Sequence, residues 1–144
     1  MVGIVFALIA GVFVAIQSVF NARVSEHVGL WGTTVIVHGI GLVFSLAMIL
    51  LAGEFTGLGE WSQINRLYLL GGAFGMVIVY SATRSVILVG PTLAIAVLIV
   101  TQLAVAMLVD ANGWFGVDRL SLHWSKPLGI LIMIIGIVIF KWRG

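Results

Sequence analysis

"VGIVFALIAGVFVAIQSVF", residues 2–20, runs for nineteen residues without a charge, and only Gln17 and Ser18 in it carry a polar side chain. As a helix rising 1.5 Å per residue it is about 28 Å long, close to the thickness of a bilayer's hydrocarbon core. No basic residues precede the run and no small-x-small cleavage site follows it, so it reads as a retained span and not as a secretory leader.

Outward from that run the pattern repeats. Trp31–Leu51, Leu67–Thr83, Pro91–Val109 and Pro127–Phe140 are each apolar over most of their length, and the last can extend to Trp142. The expectation is an all-α membrane protein in which residues 1–144 form a single five-helix transmembrane domain. Composition agrees: 62% of the 144 residues are hydrophobic and 8% charged, where soluble domains carry about 25% charged residues. All five tryptophans, Trp31, Trp61, Trp114, Trp124 and Trp142, fall at or just beyond span ends, where an amphipathic indole prefers the membrane interface. The longest connection, Asp110–Lys126, is too short to build a core of its own.

Several function classes are excluded on the same grounds. With no cysteine the chain has no disulfide or thiol chemistry, and a net charge of +2 makes no basic patch for nucleic acid. His, Asp and Glu show no metal-ligand spacing, and no nucleophile has a base at helical spacing in a plausible pocket, so neither an enzyme nor a cofactor is expected. The glycine-rich "GGAFG" at 71–75 lacks the strand and lysine of a phosphate cradle and reads as packing.

Five spans put the termini on opposite sides. Arg66, Arg119 and Lys126 then share the amino-terminal side, and Arg23, Arg84, Lys141 and Arg143 the other. A chain inserted in one orientation shows a clear basic excess in its cytoplasmic loops, so this near tie predicts insertion both ways. Two copies can then pair upside down, as an antiparallel homodimer of ten helices on the inverted-repeat plan of many secondary transporters. The alternative is one fixed topology, with an oppositely oriented paralogue as partner.

Small residues suggest where helices meet. Gly3, Ala7, Gly11 and Ala15 recur every four residues, Gly71 and Gly75 repeat the spacing, and Gly129 and Gly136 lie a heptad apart. Gly90-Pro91 predicts a very short link, with a glycine turning the chain and a proline opening the fourth helix.

Polar groups in hydrocarbon face a bundle interior or a wet cavity, because an unsatisfied group in lipid costs several kcal/mol. Gln17 and Asn21 share one face near the end of span one, and His38, Tyr80, Ser81 and Arg84 fall in the same half of the depth. Thr101 and Gln102 lie near the middle of span four and are the strongest candidates for a functional role. Gln17 and Asn21 suit either interhelical glue or a substrate contact. His38 suits packing or proton carriage, since histidine is the side chain that ordinarily titrates near neutrality. Arg84 suits a snorkelling anchor or an anion receptor, and Asp110 a helix end or a gating or ion-coupling group.

"QSVFNA" at 17–22, "GGAFG", "TQL" at 101–103, "DANGWFG" at 110–116 and the "LG" and "IG" of the last span resemble the small single-domain, YdcZ-like exporters of the drug/metabolite transporter superfamily. The resemblance spans nearly the whole chain. It implies a bacterial inner-membrane location, five helices per unit and an inverted dimer, the plan that ten-helix relatives hold in one chain. Gln17 and Asn21 match the polar pair of the family's first helix, and Gln102 and Asp110 its fourth-helix motif. Thr101 stands where glycine is common, and His38 where a small polar residue is more usual. The related small multidrug exporters couple proton and substrate at a buried first-helix glutamate. Span one has no acidic residue here, so any coupling falls to His38, Asp110 or Glu26.

The function expected is export of a small amphipathic metabolite or drug-like solute by alternating access. A dual-topology channel is the alternative, although no filter run or charge ring lies within a span. A non-transporting accessory subunit is a further one.

Overall fold

A computed structural model describes residues 2–53, 64 and 66–142. Trp61, Arg143 and the side chain of Arg66, all used above, lie outside the described residues. The described chain is helical: α1 (Val2–Ala52), α2 (Gly71–Val89), α3 (Pro91–Asn112) and α4 (Ser125–Lys141), with 3₁₀ turns at Arg66–Leu70 and Trp114–Gly116. There is no strand among the described residues. Among the described residues three helical stretches are long and apolar enough to cross a membrane, Val2–Ala52, Leu67–Val89 and Pro91–Asn112. The chain forms two compact units, Met1–Leu88 and Val89–Gly144.

In the first unit α1 is broken at one residue. Gly29 has φ 72° and ψ 173°, a backbone region essentially closed to residues with a Cβ. Helix runs over 2–28, about 40 Å, and again over 30–52, about 34 Å, so the expected spans 2–20 and 31–51 lie on either side of the break.

The connection expected at 21–30 is itself helical as far as Val28. Ala22, Arg23 and Glu26 are good helix formers, the Ser25 hydroxyl donates to the Ala22 carbonyl at 2.7 Å, and Arg23 donates to Glu26 at 3.0 Å. That ion pair is exposed and worth at most about 1 kcal/mol, so it extends a helix already formed.

α2 begins four residues later than the expected third span and ends six residues later, at Val89. After Arg84 the sequence reads "SVILV", and nothing in it stops a helix before Gly90-Pro91. Arg84 therefore lies more than a turn inside the helix. Gly90, at φ 81° and ψ 160°, is the entire link to α3, whose first position is Pro91. The predicted one-glycine turn is what the backbone shows.

In the second unit α3 runs three residues past its expected end and stops at an αL cap. Gly113 has φ 67°, and its N–H donates to the Val109 carbonyl at 2.9 Å. The chain then folds back on the freed carbonyls: Leu120 N–H donates to Asp110 at 2.9 Å, and Arg119 Nε to Ala111 at 2.9 Å. α4 contains the whole of the expected fifth span, 127–140, within its 17 residues, about 25 Å of helix.

Apolar side chains mostly lie outside. Every side chain from Val2 to Val14 is exposed, a continuous surface that water does not tolerate on a soluble monomer and hydrocarbon does. Gly3 and Gly11, on the small-residue stripe, face open space.

Candidate functional site

The interior of the first unit is small and polar. Its buried positions are Ser18 and Asn21 before the Gly29 break, Thr33 and Thr34 after it, and Thr83 and Val86 on α2. Thr33 and Thr83 are its most enclosed side chains, at 0% and 1% exposure.

Three of these hydroxyls are satisfied within their own helices. Ser18 donates to Val14 at 2.8 Å, Thr33 to Gly29 at 2.8 Å and Thr34 to Leu30 at 3.0 Å. Such back-bonding meets the hydroxyl's requirement without help from a neighbouring helix. Thr83 differs: its Oγ1 is fully enclosed and has no hydrogen-bond partner, a state that costs roughly 1–3 kcal/mol.

Two contacts join the helix after the break to α2. The rings of Trp31 and Tyr80 lie 4.5 Å apart, tilted by 35°, the offset geometry aromatic pairs favour. Seven residues on, His38 Nδ1–H donates to the Thr34 carbonyl at 2.8 Å, which leaves Nε2 as the acceptor of the neutral ring. A Cβ placed on Gly75 would lie 3.1 Å from that Nε2. Position 31 thus meets 80 and position 38 meets 75, so the two helices are antiparallel. Of the glycines read as packing positions, Gly75 is the one with a neighbouring side chain that close.

The candidates named from the sequence separate. Asn21, at 6% exposure, turns inward while Gln17 is exposed, although they share a face by spacing. Tyr80 is half-buried, and His38, Arg84 and Glu26 are exposed, Glu26 in its pair with Arg23. In the second unit Thr101 and Gln102 are both exposed, and the Thr101 hydroxyl donates to Val97 at 2.9 Å. Asp110 is half-buried two residues before the end of α3, with its carbonyl holding the returning chain.

Sequence alone does not single out Ser18, Thr33, Thr34 and Thr83 as interior positions. Hydroxyl residues barely change hydropathy, so they do not interrupt a span. The available signal was their clustering, with Thr33-Thr34 just beyond Gly29 and Thr83 one turn from Tyr80. Among the described residues no three His, Asp or Glu side chains gather as a metal site.

Helices with an apolar exterior and buried hydroxyls, among them stretches long and apolar enough to cross a bilayer, define an integral membrane protein. The chain belongs to the family described as "Putative inner membrane exporter, YdcZ", whose model matches residues 2–139. It is therefore an inner-membrane protein of a transporter family. No curated protein and no solved structure matches the chain.

Proposed function

We propose that the chain exports a small, uncharged or weakly polar solute by alternating access, as an inverted pair of five-span subunits. The observation that carries this reading is the set of buried polar side chains in the first unit, Ser18, Asn21, Thr33, Thr34 and Thr83, which offers hydroxyls and an amide and no charge. Such a lining accepts a solute with its own hydroxyl or amide groups and gives a cation no counter-charge. The Thr83 hydroxyl is the group such a solute would satisfy.

Five spans follow if Gly29 turns the chain at one membrane face and α4 is the last crossing. Pairing is supported by Gln102. It lies eleven residues into α3, about 17 Å along the helix and near the midplane of a roughly 30 Å core, and it is exposed. An amide there needs a polar neighbour, and a second, inverted copy brings its own Gln102 and Thr101 to the same depth. His38, Asp110 and Glu26 stay as candidates for coupling, and Gln17, Tyr80 and Arg84 for lining the path.

The test uses the absence of cysteine from the chain. A cysteine added at either terminus is labelled in intact cells, and Gln102→Cys is oxidised in membranes. Partial labelling of each terminus from both sides, together with a disulfide-linked dimer through position 102, supports the inverted pair. One fixed orientation without that dimer refutes it. Counterflow of a neutral polar solute in vesicles, lost in Asn21→Leu, tests transport separately.

A further inference from the structure

α3 and α4 of the second unit line an open cleft of about 330 Å³ between them. Its walls are Thr92, Ala96 and Val100 on α3, and Met133, Gly136 and Phe140 on α4. The two helices are antiparallel neighbours joined by residues 113–124, so Thr92 and Phe140 mark one end and Val100 and Met133 the other. The eight residues from Thr92 to Val100 make the cleft about 12 Å long, close to the depth of one leaflet of a roughly 30 Å hydrocarbon core.

Spread over that length, the volume suits one extended hydrocarbon chain lying in the groove better than a helix of roughly 10–12 Å diameter. The opening exists because Ala96 and Gly136 are small, and a Cβ added at Gly136 meets nothing within 4 Å. Every wall residue is apolar except Thr92, which sits at the outer end.

That outer end is also where charge is found. Lys141 follows the wall residue Ile137 by one helical turn, and it and the neighbouring Trp142 are exposed. A cation and an indole at the mouth of an apolar slot one leaflet deep match an anionic headgroup above an acyl chain.

We infer that the α3–α4 cleft holds one acyl chain of an anionic phospholipid, with its phosphate against Lys141 and the Thr92 hydroxyl. This goes beyond the transport reading and takes from it only the placement of α4 across the bilayer. The lipid fills a gap that the side chains of the unit leave open, and it joins α3 to α4 on the membrane-facing side.

The test is made on the full chain in vesicles of phosphatidylethanolamine and phosphatidylglycerol, the latter carrying a photoreactive diazirine midway along one chain. Labelling is expected to be several-fold stronger at Val100 and Met133 than at Ile132, Ile135 and Ile139, which are exposed on α4 away from the cleft. Gly136→Leu, which fills the slot, is expected to abolish that excess, and Lys141→Gln to remove the preference for phosphatidylglycerol over phosphatidylcholine. Even labelling around α4, or an excess unchanged in Gly136→Leu, overturns the inference. The wild-type map decides the matter even where that variant fails to fold. No labelling anywhere on α4 overturns the fifth span on which the inference rests.

Discussion

Replacing Gly29 with alanine isolates the feature that sets the path of the first unit. At φ 72° and ψ 173° the backbone admits glycine and little else, and holding a residue with a Cβ there costs about 1–3 kcal/mol. The penalty is purely conformational, because a Cβ at position 29 meets no atom within 4 Å. Continuing the helix does not relieve it: an unbroken α1 of 51 residues would be about 76 Å long, against a hydrocarbon core of about 30 Å. Gly41→Ala is the control, since Gly41 is inside a helix with equally open space around it and alanine there gains about 0.5–1 kcal/mol. The two variants are expected to move in opposite directions and to separate by at least about 1.5 kcal/mol. Unfolding by sodium dodecyl sulfate in mixed micelles reads the difference through the fluorescence of Trp31, two residues from the break. Gly29→Ala as stable as Gly41→Ala would refute the break and leave a continuous helix in its place.

The second one-glycine link is expected to be less tolerant still. In Gly90→Ala the residue before Pro91 is also barred from the helical region, so the loss should equal or exceed that of Gly29→Ala in the same assay. Thr83→Val keeps the shape of a buried residue and removes its unpartnered hydroxyl. It should raise stability by up to roughly 1–3 kcal/mol while reducing solute counterflow, and a loss of stability would show that the hydroxyl has a partner. Gly75→Ala puts a methyl group 3.1 Å from His38 Nε2, so the imidazole must shift, and the variant should lose the roughly 0.5–1 kcal/mol that Gly41→Ala gains. In a double-mutant cycle His38→Ala should recover most of that loss, and additive effects would show that the two side chains do not meet.

Elements were legible in the sequence where lipid chemistry alone decides them. Apolar length marked α3 and α4 to within a few residues, and Gly90-Pro91 announced its own turn. The break at Gly29 was not visible, because one glycine among eighteen carries no mark of the φ it adopts. The helical stretch 21–28 is not marked by hydropathy, because charge marks the end of a span and not of a helix. Inward faces were the least legible. Where lipid is as apolar as any core, hydropathy does not distinguish inside from outside, and the outcome turns on size and hydrogen bonding. Gln17 and Asn21 illustrate this: the spacing that puts them on one face does not say which of the two the bundle covers.

That same property bears on how a path could open. Ser18, Thr33 and Thr34 return their hydroxyl protons to their own helices, so separating those helices breaks none of these bonds and leaves none of these groups orphaned. Beside the packing that encloses Thr33 and Thr83, α1 meets α2 through a tilted aromatic pair and a close approach of an imidazole to a glycine. The aromatic pair is worth about 0.5–1.5 kcal/mol beyond its buried area. A polar interior with self-satisfied hydroxyls can part at low cost, which a seam of interhelical hydrogen bonds could not do in hydrocarbon. Thr83 is the exception, since its enclosed hydroxyl bonds to nothing in the closed arrangement. On the proposed transport reading, a solute that supplied an acceptor at Thr83 would gain a bond without displacing one, which would favour a loaded interior over an empty one.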